Sequence, residues 1–157
     1  TNRTEEFPAM QLLNTIFGSG MTSKLFMNIR EKMSLCYSIG SGYYGTKGIV
    51  TVSAGIDFDK EELTRQEVLR QLKACQDGEI SDEELTAARQ AILSSLRATH
   101  DSPGAIEGYY ATAALSGMKM TPAEYMAAVE AVTVQQVAAA ARKVVCHSSY
   151  FLKGGSQ

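Results

Sequence analysis

Arg30 and Tyr37 are the residues of this chain best suited to hold a polar substrate. A guanidinium and a phenol are both hydrogen-bond donors, able to grip a carbonyl or a developing oxyanion. The same types also suit plain structure. An arginine near a helix C-terminus is favoured by the helix dipole, and a tyrosine fits a half-buried strand. Physical chemistry by itself leaves both readings open.

The two histidines lack the company that a metal or a nucleophile needs. His100 is followed by Asp101-Ser102-Pro103 and His147 by Ser148-Ser149-Tyr150. Neither opens H-E-x-x-H or the inverted H-x-x-E-H, whose histidines put two imidazoles on one helix face for zinc. A Ser-His-Asp relay from His100, Asp101 and Ser102 fails, because adjacent residues do not stack into a linear relay. Cys146-His147 fares no better, since neighbours on a strand point to opposite faces. No metal site is expected in this chain. Gly18-Ser19-Gly20 could offer helix-end amides to a phosphate. It has no preceding strand, no G-x-x-x-x-G-K-[ST] pattern and no acidic ribose partner, so a helix-breaking loop is the favoured reading. Cys36, Cys75 and Cys146 are odd in number and far apart, and are expected to be free, mostly packed thiols.

These residues need elements to position them. Pro8 to Phe17 carries Met10, Leu13, Ile16 and Phe17 at helical spacing and breaks at Gly18-Ser19-Gly20. A second helix is expected with Met21, Leu25, Ile29 and Met33 on one face, ending near Ser34 and holding Arg30 in its last turn. From Leu35 the period becomes two, with Tyr37, Ile39, Ser41 and Tyr43 on one face. Tyr44 to Gly48 supplies a reversal, and Val50, Val52, Ala54 and Ile56 continue the alternation as an antiparallel partner. The short connection between helix and strand brings Arg30 and Tyr37 to one region of surface.

From Asp59 to about Val145 the chain reads as helices, broken at Asp77-Gly78, Ser102-Pro103-Gly104, Ser116-Gly117 and Val132-Thr133. Ser81 with Glu84, Thr121 with Glu124 and Thr133 with Gln136 spell capping boxes. Ser148 to Lys153 is expected to return as a strand to the same sheet. A three-strand sheet under so much helix is thin, which points to strands preceding Thr1 that are cut off or supplied elsewhere.

The 157 residues fit one domain, and 45% apolar with 20% charged residues is ordinary for a globular chain. No apolar run approaches the roughly 20 residues of a membrane span. A net charge of −2 with dispersed basic residues gives no footprint for nucleic acid. The opening residues lack the apolar stretch of a signal peptide and an initiator methionine, so a cytoplasmic fragment of a longer chain is expected.

The run from Leu13 through Gly18-Ser19-Gly20 to Phe26, continuing into Ile29-Arg30-Glu31-Lys32-Met33-Ser34-Leu35-Cys36-Tyr37-Ser38, closely resembles the inactive domain of the pitrilysin/insulinase metallopeptidases. That family includes insulin-degrading enzymes, mitochondrial processing peptidases and bacterial relatives. The resemblance covers most of the chain, residues 1–157, and implies an α/β (α+β) half-domain whose mainly antiparallel sheet is backed by helices. It implies a partner half, in the same polypeptide or on another subunit, that carries H-x-x-E-H and the zinc. The two halves would enclose a chamber where peptides are cut. Arg30 and Tyr37 match the residues that reach across to the zinc site and hold substrate near its scissile carbonyl. Gly18 and Gly20 correspond to a glycine loop linked to substrate handling, although the loop is shorter here. By itself the chain is expected to hydrolyse nothing. A catalytically dead scaffold of the same fold is the alternative.

Overall fold

The computed structural model describes residues 5–99 and 101–153. Helix α1 (Phe7–Phe17) leads to a π-helix (Leu25–Lys32), a hairpin of β1 (Ser38–Tyr44) and β2 (Ile49–Gly55), and a 3₁₀ turn (Phe58–Lys60). Five helices follow: α2 (Glu61–Asp77), α3 (Asp82–Thr99), α4 (Pro103–Ser116), α5 (Pro122–Ala131) and α6 (Val134–Ala141). The architecture is mixed α and β, with an antiparallel sheet backed by helices, as the sequence leads one to expect.

Helix α1 is the centre of the core. Pro8 occupies its first turn, where a missing N–H costs nothing. Phe7, Leu12, Leu13, Ile16 and Phe17 are all buried, each worth roughly 1.5–3 kcal/mol of transfer free energy. The helix packs on α3, α5, α6 and β1 together, which leaves it almost no solvent face. At its N-terminal end the Phe7 ring stacks on Tyr125 of α5 at 5.3 Å and meets Tyr43 of β1 at 6.1 Å.

The C-terminal end of α1 meets β1 through backbone. Ser41 N–H donates to the Gly18 carbonyl at 2.9 Å, and the Ser41 hydroxyl donates to Asn14 Oδ1 at 2.8 Å. A Cβ on Gly18 would lie 2.5 Å from Ser41 Oγ and 2.8 Å from a methyl of Leu25, so the approach requires glycine. Gly20, with φ of 107°, makes the turn that follows.

The register runs from Ser38 opposite Gly55 to Tyr44 opposite Ile49. Tyr37 N–H adds one rung by donating to the Gly55 carbonyl at 2.8 Å. The strand therefore starts three residues later than the expected Leu35, because Leu35 to Tyr37 are used to leave the preceding helix. All three capping boxes form. Ser81 N–H donates to Glu84 at 2.9 Å and Glu84 N–H returns to Ser81 Oγ at 3.1 Å. Thr121 with Glu124, and Thr133 with Gln136, do the same. Gly78 and Gly117 close α2 and α4 in the left-handed conformation.

Three expectations are corrected. The second helix begins at Leu25 and is wound as a π-helix, so Leu25 and Ile29 are fully buried. Met21 lies in the turn before it, 74% exposed, and Met33 follows its last residue. Ser148 to Lys153 forms no strand. Gly18 takes the Ser41 N–H on the outer edge of β1, and the tail faces β2 across an open cleft of about 750 Å³ lined by Val50, Val52, Val68 and Tyr150. Among the described residues the sheet thus has two strands. Of the three free thiols Cys75 is buried and Cys36 half-buried, whereas Cys146 is exposed. Among the described residues no helix is long and apolar enough to cross a membrane.

Two outcomes follow for solution work. Gly18→Ala should cost about 1–3 kcal/mol by overpacking against Ser41 and Leu25, read as a lower denaturation midpoint. Burial raises the Cys75 thiol to about 11. At pH 8 iodoacetamide should therefore label Cys146 readily and leave Cys75 unmodified until the chain unfolds, as mass spectrometry of tryptic peptides would show.

Candidate functional site

Arg30 and Tyr37 converge. The π-helix carries Arg30 in its last turn, and the chain then reverses through Ser34, the one non-glycine residue at positive φ (51°) among those described. Ser34 N–H donates to the Arg30 carbonyl at 3.1 Å and Leu35 N–H to the Ile29 carbonyl at 3.0 Å, which closes the helix end. Leu35 is then buried. The reversal leaves Arg30, Leu35, Cys36 and Tyr37 around one depression of about 440 Å³, completed by Asp57 and Lys60.

The Arg30 guanidinium lies over the Phe26 ring at 4.7 Å and 3.6 Å from Glu31 Oε1, which fixes its stem and leaves donors free. Tyr37 is 69% exposed, and its hydroxyl donates to Asp57 Oδ1 at 2.5 Å. That bond holds the phenol above its ordinary pKa and the Asp57 carboxyl below the usual carboxylate range, the latter aided by Lys60. Lys60 Nζ lies 3.4 Å from Asp57 Oδ2 and also donates to the Ser34 carbonyl at 3.3 Å. Cys36 sits between these groups with its thiol raised by burial, against the pull of Arg30 and Lys60. It is therefore no ready nucleophile at neutral pH.

The helix behind the site is held by buried polar contacts. Asn28 Nδ2 donates to Gln71 Oε1 at 2.8 Å, and Gln71 Nε2 donates to Glu67 Oε1 at 2.6 Å. Glu67 is buried and takes a two-pronged contact from Arg70, which keeps its carboxyl below the ordinary range. Lys24 pairs with Glu84, the acid of the first capping box, at 2.9 Å. The π-helix is thus tied to α2 and to α3, so Arg30 stands on a fixed support.

Gly18 and Gly20 do not line this depression; Gly18 shapes the junction of α1 with β1, and Gly20 makes the turn after it. His100 lies outside the described residues, and His147 is exposed on the tail. Among the described residues no group of three or more His, Cys, Asp or Glu side chains is placed to hold a metal ion, so those residues do not fit zinc. Asp57 and Lys60 were not singled out from the sequence. The hairpin could have revealed them, since a turn at Tyr44–Gly48 puts Tyr37 beyond the Ser38–Gly55 pair and so beside the residues that follow Gly55.

Residues 1–92 match the model of the peptidase M16 inactive domain. The chain is 29% identical over 154 residues to the probable inactive metalloprotease YmfF of Bacillus subtilis, covering 98% of this chain and 36% of that protein. It is 40% identical over 89 residues to an uncharacterized zinc protease of Rickettsia bellii, covering 55% of this chain and 21% of that one. Among solved structures, a conserved protein from Enterococcus faecalis superposes with a TM-score of 0.83 at 28% identity, covering 90% of this chain and 33% of that one. The peptidase M16 inactive domain from Pseudomonas fluorescens superposes at 0.79 with 22% identity, covering 92% and 35%. The chain spans about a third of the length of the first of these relatives and of both structures. With the family model covering more than half of the chain, and a fold shared over nine-tenths of it, this chain belongs to the peptidase M16 inactive-domain family.

Proposed function

We propose that this domain is the non-catalytic, substrate-binding and chamber-closing lobe of a zinc-dependent metalloendopeptidase. The observation that carries this reading is the convergence of Arg30 and Tyr37 on one open depression, on a helix and a strand end that are both firmly held. In this reading residues 1–157 are one inactive domain of a longer assembly. The zinc and the H-x-x-E-H motif belong to a partner half, in the same polypeptide or another. Relatives that carry the name zinc protease support it.

Arg30 supplies a fixed cationic donor for a peptide carbonyl, and Tyr37 supplies a phenol beside it. In the same reading Gly18 and Gly20 belong to the substrate-binding residues, Gly18 also setting how α1 supports β1. A cytoplasmic setting is part of the proposal, in keeping with three free thiols. The name of the Bacillus subtilis relative favours a second reading, a catalytically dead scaffold of the same fold.

The two readings separate in the assembled protein with a fluorogenic peptide. Arg30→Ala should lower kcat/KM on the order of 10²-fold and Tyr37→Phe by about tenfold, with assembly intact by size-exclusion chromatography. Wild-type turnover in both variants would remove the assignment; no turnover in the wild type, with the partner half lacking H-x-x-E-H, would establish the scaffold.

A further inference from the structure

A phenol has one proton to donate and two lone pairs to accept with. In this structure the Tyr37 proton is already committed, at 2.5 Å, to Asp57 Oδ1. Both ends of that bond rest on fixed backbone. Tyr37 is held by its rung to Gly55, and Asp57 opens the 3₁₀ turn, its carbonyl accepting from Lys60 N–H at 3.1 Å. The second carboxylate oxygen faces Lys60 Nζ at 3.4 Å, and the same ammonium reaches the Ser34 carbonyl at 3.3 Å. The ammonium therefore ties the acid to the reversal that separates Arg30 from Tyr37.

Building on the reading above, we propose that Asp57 is a positioning residue for Tyr37. Its carboxylate engages the phenol's only proton, fixes the ring at the mouth of the depression, and presents the phenol oxygen as an acceptor for a substrate backbone N–H. Arg30, which cannot accept, remains the donor for a backbone C=O. A peptide backbone offers one group of each kind, so a donor and an acceptor on one rim match it better than two donors would. The raised phenol and lowered carboxyl agree with this division, since both keep the proton on tyrosine and the charge on aspartate at neutral pH. Lys60 acts one step further back, holding Asp57.

The test uses the protein with its zinc-bearing half in place and tyrosine labelled with carbon-13 at Cζ. The Tyr37 resonance is assigned by its loss in Tyr37→Phe. Asp57→Ala should move the alkaline titration of Tyr37 down towards that of free tyrosine, and Asp57→Asn, which keeps an acceptor without the charge, should move it too. In kcat/KM, Asp57→Ala should lose about tenfold, Asp57→Asn should recover most of that loss, and adding Asp57→Ala to Tyr37→Phe should cost nothing more. An unmoved Tyr37 titration in Asp57→Ala overturns the proposal whatever the activity. Losses that multiply in the double variant overturn it as well, because Asp57 would then act without Tyr37. A titration that moves while Tyr37→Phe keeps wild-type activity upholds the hold of Asp57 on the phenol and removes the substrate-binding reading instead.

Discussion

The close approach of Gly18 to Ser41 decides how helix and hairpin meet. With no Cβ in the way, the end of α1 gives its Gly18 carbonyl to the β1 backbone, and Asn14 takes the Ser41 hydroxyl from the same side. The contact engages the outer edge of β1 at Ser41 and brings Leu25 under the junction, where the π-helix starts. Helices α3, α5 and α6 pack on the same α1 that is joined to the sheet. Any side chain at Gly18 would push apart α1, β1 and the π-helix at once, so a single position sets the geometry from which the site is built.

The site is a second chain reversal, and it stores strain where the first avoids it. Ser34 takes a left-handed conformation that glycine would adopt more easily. The surroundings hold it there: helix-end hydrogen bonds from its own N–H and from Leu35 N–H bracket it, Leu35 is buried, and Lys60 caps its carbonyl from across the hairpin. Arg30 and Tyr37 are thereby presented by a rigid corner instead of a free loop. The Asn28–Gln71–Glu67 contacts behind the π-helix serve the same end, since a buried acid left without its partners would cost more than it contributes. A hold on substrate of the kind proposed depends on placement and needs this kind of stiffness.

Much of this was legible from the sequence because local rules and tertiary structure agreed. Glycines at Gly78 and Gly117 ended helices, the capping boxes started them, and period-two alternation over Ile39 to Tyr43 marked a strand whose Ile39 and Tyr43 pack on the core. The convergence of Arg30 with Tyr37 followed from the short link between their elements. The failures have physical causes. Spacing by four from Met21 to Met33 fits an α-helix, but the chain winds more widely and keeps only Leu25 and Ile29 inside. An apolar run at Tyr150 to Leu152 cannot announce whether a neighbouring edge is within reach, and here a cleft intervenes. Asp57 and Lys60 are ordinary acid and base in sequence and gain meaning only from the hairpin register.

The central claim is that the Arg30–Tyr37 depression faces the peptide in the assembled protein. Photo-crosslinking tests it most directly, with a benzoylphenylalanine placed at Glu31 on the rim of the depression, or at Tyr110, exposed on α4, and a tagged peptide substrate added before irradiation. Capture of the peptide from position 31 and not from position 110 is the predicted result; equal capture from both, or capture from 110 alone, would contradict it.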